Sequence, residues 1–159
     1  MLQWLKKEKI ISKSDKKAKR GLFDEALLII EDALKTQPST DLKKQKLWLL
    51  KEIKQYDHAQ TLLDELLLEL PNDEILFVFK GELQLLRREF ASAIESLKTA
   101  IDLGGENIWA EYLLGRCYVG LGDFDRAAEY FTSIIKYDKN FFKGRLLAAA
   151  EFQLMQLKS

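Results

Sequence analysis

The feature that most restricts what this chain can fold into is a short pattern repeated at a fixed distance. Within Gly122–Phe131 an aromatic residue, Phe124, is followed by Ala127 and then by Phe131. Thirty-four residues earlier stand Phe90, Ala93 and Leu97, and thirty-four before those Tyr56, Ala59 and Leu63. A further step of 33 reaches Phe23, Ala26 and Ile30. Four copies of aromatic-x-x-Ala-x-x-x-large apolar at one period mean stacked units, each too small to bury its apolar face alone.

The units are helical. Leu, Lys, Glu and Ala dominate, Pro occurs twice, and runs of β-branched residues are missing. The stretch Phe23–Leu34 is apolar at 23, 26, 27, 30, 33 and 34, the spacing of one buried helical stripe. Pro38 and Pro71 close two such helices, with Ser39, Thr40 or Asp41 and Asn72 or Asp73 as caps for the next. The period divides the chain into units at about 7–39, 40–73, 74–107 and 108–141, followed by an unpaired helix at 142–157, all in a single domain.

Gly81 and Gly115 fall in mid-helix 34 residues apart. A Gly there costs on the order of 1 kcal/mol against Ala, so both are expected where paired helices pack closely. Ala149 continues this column, and Leu47 breaks it. In the first unit Lys13, Ser14 and Lys17 replace apolar or small residues, so little is expected to pack there, and residues 1–20 are expected to add little stability.

These residues resemble the tetratricopeptide repeat, a helix-turn-helix of 34 residues. The resemblance rests on Leu114, Gly115, Tyr118, Gly122, Phe124, Ala127, Phe131 and Ile134 in the fourth unit. The third contributes Gly81, Phe90, Ala93, Leu97 and Ala100. The second contributes Tyr56, Ala59, Leu63 and Pro71, and the first Gly21, Phe23, Ala26, Ile30, Ala33 and Pro38. It covers about 7–157 and implies an all-α, right-handed superhelix of about four stacked repeats plus a C-terminal closing helix. Two departures concern turns: the third and fourth units lack the closing Pro and carry Gly104-Gly105 and Lys139-Asn140.

Chemistry is sparse. No Gly-rich phosphate loop is present. His58 is the only histidine, and Cys117 the only cysteine, which reads as a structural thiol and excludes an internal disulfide. Asp123-x-Asp125 lacks the remaining ligands of a calcium loop and reads as a helix N-cap. No enzyme activity, cofactor or metal is expected. No apolar run approaches a membrane span and no secretory signal is apparent, so the cytoplasm is the expected location.

Charge sums to zero but is uneven: residues 1–60 carry 14 basic and 9 acidic side chains, and 61–159 carry 11 and 16. The excess lies before Gly21, in Lys6, Lys7, Lys9, Lys13, Lys16, Lys17, Lys19 and Arg20. A solvated helix is the plainer explanation, and nucleic acid is not the expected partner.

The resemblance implies a concave groove lined by the first helix of each repeat. Carried onto this chain, its lining is Asp41, Lys44, Trp48 and Lys51, then Ile75, Val78, Glu82 and Leu85. Trp109, Tyr112, Arg116 and Val119 follow, and Lys143 and Leu146 continue the row. Some family members grip a C-terminal carboxylate on this face. Lys44 fits that arrangement, but Trp48, Val78, Phe79 and Trp109 do not. Two Trp, one Tyr and several aliphatics suit the apolar anchors of a peptide or helix instead. The expected function is therefore a non-catalytic adaptor or scaffold that binds a segment of another protein. The alternatives are a small secretion-type chaperone and a nucleic-acid- or ribosome-associated protein using the basic segment. The apolar excess at 142–157 points to a homo-oligomer or a bound protein at that end, and Leu2, Trp4 and Leu5 are an alternative filling for the groove.

Overall fold

The computed structural model describes residues 2–105, 107–136 and 145–158, with side chains described from residue 6 in the first helix and from residue 149 in the last. Among the described residues every regular element is a helix. One compact unit, Met1–Pro71, holds α1 (Leu2–Ala18), α2 (Phe23–Thr36), α3 (Thr40–Glu52) and α4 (Tyr56–Glu69). The other, Asn72–Ser159, holds α5 (Glu74–Leu86), α6 (Phe90–Gly104), α7 (Ile108–Leu121), α8 (Phe124–Lys136) and α9 (Arg145–Lys158).

Local chemistry sets these boundaries. Three helices open on a carboxylate or amide that takes up an otherwise orphaned amide. Asp73 accepts from the Leu76 N–H at 3.2 Å, Asn107 from Ala110 at 2.9 Å, and Asp123 from Arg126 at 3.2 Å. The Asp123 bond is the cap read from the sequence. Ser39 precedes α3 without a side-chain cap bond.

The turn inside each repeat is the same four times. Gly21, Lys54, Arg88 and Gly122 have φ of 76°, 63°, 64° and 77°. The residue after each donates back five positions, Leu22 to Lys17 at 3.1 Å, Gln55 to Leu50 at 2.8 Å, Glu89 to Gln84 at 2.9 Å, and Asp123 to Tyr118 at 2.9 Å. This is the helix ending that glycine favours, because a side chain at positive φ crowds its own carbonyl.

In the first unit the core joins Ala18, Ala26, Ile30, Ala33, Leu42 and Leu49, with Ile10 and Ile11 packed against it. That overturns the expectation of a poorly packed first helix. The small residue of the first repeat is Ser14, not Lys13, because the first period is 33. Ser14 is fully buried, and its hydroxyl donates to the Ala26 carbonyl at 3.1 Å. Lys13 is exposed, and Lys17 pairs with Glu25 at 2.7 Å. That ammonium holds the Glu25 carboxyl below its ordinary value through a hydrogen bond and its charge.

In the second unit one core cluster joins α5, α6 and α7 through Val78, Leu85, Ala93, Leu97, Leu113 and Cys117. The other joins α7, α8 and α9 through Tyr118, Ala127, Phe131, Ile134 and Ala150. Gly81 and Gly115 sit at the close approaches the sequence predicts. A Cβ on Gly81 would lie 2.5 Å from Leu97 Cγ, and one on Gly115 2.5 Å from Phe131 Cε1. At the last helix the column shifts: Ala150 is fully buried and Ala149 only half-buried. Phe124, expected in the packed skeleton with Phe90, is instead 54% exposed.

Candidate partner-binding surface

On α3 of the first unit the expected lining is already engaged with the chain itself. Asp41 pairs with Lys7. Trp48 is half-buried, with its ring edge-on to Phe23 at 6.2 Å and 72°. Lys51 has an 11% exposed side chain and lies 3.1 Å from the Glu52 carboxylate. Lys44 is half-buried. Trp48 therefore stabilises the unit, contrary to a purely outward role. A hollow of about 330 Å³ in the same unit is lined by Glu31, Lys46, Leu50, His58, Thr61 and Glu65 among others. Glu31 and Lys46 pair there at 2.8 Å. Among the described residues no three His, Cys, Asp or Glu gather as a metal site.

In the second unit Ile75 of α5 is 45% exposed, while Val78 and Leu85 are 8% and 6% exposed and belong to the core. Those two are corrections to the expected lining: they turn toward α6 and α7 and hold the stack. Glu82 between them is half-buried. On α7, Trp109 and Tyr112 stack at 5.5 Å and 25°, and Tyr112 tilts against Phe131 at 5.9 Å. Both rings are half-buried and touch the core, so each has a packed side and an open side. Arg116, one turn on from Tyr112, is exposed. Val119 packs against the α7–α9 cluster. Lys143 lies outside the described residues, as does the side chain of Leu146, and the side chains of Leu2, Trp4 and Leu5 also fall outside them.

Cys117 is buried, and burial pushes its thiol up to about 11 despite the nearby Arg116 charge. It stays protonated and inert at neutral pH. Burial, then Tyr118 and Glu111, also raise the Tyr130 phenol above its usual value. Tyr130 stacks on Tyr118 at 5.7 Å, and Arg126 covers the Tyr118 ring at 5.5 Å.

Sequence reasoning missed one exposed apolar pair, Leu121 at 53% and Phe124 at 54%, which border an open hollow with Asp123 and Asp125. On α9, Phe152 and Met155 are 57% and 67% exposed, which gives residues to the apolar excess expected there.

Helix pairs with one turn geometry, a small residue under a large apolar one, and a shared period are the marks of one repeat family. The tetratricopeptide-repeat profile matches residues 84–153. The chain is a tetratricopeptide-repeat protein. Two curated relatives carry such similarity. BBSome complex member BBS4 of Bos taurus is 31% identical over 101 residues, 64% of this chain and 19% of that protein. DnaJ homolog subfamily C member 3 of Gallus gallus is 30% identical over 138 residues, 77% of this chain and 27% of that protein. This tetratricopeptide-repeat chain thus spans a small part of the length of the relatives it matches. Among solved structures, MamA from Desulfovibrio magneticus RS-1 aligns with TM-score 0.67 at 18% identity, covering 95% of this chain and 92% of that one. The second such domain of human RPAP3, in complex with an HSP70 peptide, aligns with TM-score 0.61 at 16% identity, covering 74% and 92%. These structural likenesses establish the fold. No helix among the described residues is long and apolar enough to cross a membrane.

Proposed function

We propose that this chain is a non-catalytic interaction module that holds a segment of another protein against the open faces of α5 and α7. The observation that carries the reading is the Trp109–Tyr112 stack, half-open, with the exposed Arg116 in line with it and Ile75 exposed on α5. Aromatic rings already fixed by packing lose little freedom on binding, and Trp, Tyr and Arg are the residues that anchor interfaces. The relatives support a protein partner: one is a member of a multiprotein complex by name, and one structural neighbour is solved with a peptide. A cytoplasmic setting fits a single cysteine, Cys117, that is free and buried. Self-association through the exposed Phe152 and Met155 is a second element of the proposal.

The test is capture from the native host, with eluted proteins identified by mass. Ile75→Glu and Arg116→Glu change exposed positions and leave the core alone. We expect a protein enriched by the parent chain to be lost with both variants while their melting temperatures match the parent. Capture unchanged by both would remove the α5–α7 face from consideration. For self-association, Phe152→Glu combined with Met155→Glu should reduce the particle mass seen by light scattering at high concentration, and a parent that is monomeric throughout would refute it.

A further inference from the structure

Lys19 in the turn aside, the basic excess before Gly21 is sorted by the fold into two sets. On the inner edge of α1, Lys7 pairs with Asp41 and Lys17 with Glu25, and Asp15 accepts a hydrogen bond from Gln45 at 2.7 Å. Lys6, Lys9, Lys13, Lys16 and Arg20 form the other set. Lys6, Lys9, Lys13 and Lys16 recur at steps of three, four and three residues, which at 3.6 residues per turn keeps them within about 80° of helical arc, and Arg20 follows just past the end of α1. All five are exposed, and none has an ion-pair partner among the described residues. Ile10, Ile11, Ser14 and Ala18 face the other way, into the first unit's core. From Lys6 to Lys16 the row runs about 15 Å along the helix, with Arg20 in the turn beyond.

Four like charges at these spacings destabilise an isolated helix, and Arg20 adds a fifth at its end. Within the unit the Glu25 carboxylate feels the charge of Arg20, and a polyanion lying along the row would offset all five. We infer that this face of α1 docks the phosphate backbone of a nucleic-acid duplex, without reading its bases, at a site separate from the α5–α7 face. The composition of the row selects this occupant over the other polyanions. Lys is a point charge on a flexible arm that meets phosphates in any register, without the fixed bidentate geometry through which Arg reads a particular carboxylate or phosphate. Lys is also depleted in protein interfaces, and no aromatic or aliphatic anchor lies among the five described positions. A bilayer needs an inserted apolar face for firm binding, and the described apolar face of α1 is used by the core.

Fluorescence anisotropy with a labelled mixed-sequence DNA duplex of about 20 base pairs tests this on the full chain. Five phosphate contacts predict that raising salt from about 50 to about 200 mM weakens binding roughly 10²- to 10³-fold. Lys9→Glu combined with Lys13→Glu should weaken binding at low salt at least about tenfold and flatten the salt dependence by about two contacts' worth. Lys35→Glu, on α2 and paired with Asp32, should leave it unchanged. Circular dichroism confirms that these exposed substitutions leave the helices intact. No duplex binding, equal weakening by Lys35→Glu, or a dissociation constant nearly independent of salt overturns the inference. So does tighter binding to polyglutamate or to phosphatidylserine vesicles than to the duplex.

Discussion

The two units solve one packing problem with opposite chemistry. Each repeat brings its two helices together over a single position in the first helix. In the second unit that position is Gly81 or Gly115, and the space above it is already filled by Leu97 or Phe131. In the first unit it holds a side chain: Ser14, whose hydroxyl is absorbed by the Ala26 carbonyl, and Leu47, which is wholly buried. The period fixes where the helices meet and leaves open which partner supplies the volume. Small under large, or large under what fits it, fill the same gap at interior density.

The sharpest test of that contrast substitutes the column in opposite directions. Gly115→Val should cost about 3 kcal/mol, since the Phe131 ring is fully buried and has little room to give. Leu47→Ala should cost a similar amount for the opposite reason, roughly 3 kcal/mol from lost burial and the cavity left behind. Denaturant unfolding reads both. If Gly115→Val is neutral while Leu47→Ala is not, the two units do not differ as described.

A somewhat smaller effect is expected from removing residues 1–20. Ile10 and Ile11, both half-buried, would be lost from the core, and Ala26 and Ile30 would be uncovered, at a cost of roughly 2 kcal/mol. An unchanged unfolding midpoint would restore the idea that this segment is only a solvated end. Next, Lys54→Gly and Arg88→Gly should each stabilise by about 0.5–1 kcal/mol, because glycine relieves the positive φ that these two positions impose. The same turns at Gly21 and Gly122 should lose a like amount on Gly→Lys substitution.

The smallest effect on stability is expected at Cys117, where the change is mainly in reactivity. With its thiol pushed from 9.0 up to about 11, the thiolate at pH 8 should be about a hundredfold scarcer than in an ordinary cysteine. Iodoacetamide labelling should be slow in the folded chain and speed up on unfolding. The folded state holds this proton longer than the unfolded chain, so its contribution to stability is intact below pH 9 and declines as pH rises from 9 toward 11. Cys117→Ala should remove that part of the decline, and identical pH profiles for the two proteins would refute it.

Much of the fold was legible because packing leaves a periodic trace. Ala26, Ala59, Ala93 and Ala127 are all fully buried, and the two mid-helix glycines sit at the close approaches their cost implied. Two of the four left-handed turns were marked by Gly21 and Gly122. Lys54 and Arg88 gave no sign, since a long side chain does not advertise its backbone angle. Ser14 was misjudged because the first period is one residue shorter, which shifts the column from Lys13. The binding face was harder to read. A helical register sorts side chains by direction, yet Val78 and Leu85 lie on the edge of the arc that α6 and α7 cover. Trp48 and Trp109 are wide enough to reach both the core and the open side, so direction alone could not place them.

Within each unit the packed pairs are neighbours in sequence, α1 with α2, α2 with α3, α3 with α4, then α5 with α6 through to α8 with α9, with second neighbours such as α5 and α7 touching less. Such locality bears on how fast the chain finds its structure. Closing a short loop costs little entropy, and helical chains dominated by local contacts fold on the order of microseconds to milliseconds. Any helix pair can serve as the nucleus, and the next helix adds to an existing surface without waiting for a distant segment. Stopped-flow refolding should therefore be fast, and slowed most by substitutions such as Gly115→Val if α7 and α8 form the pair that starts the second unit.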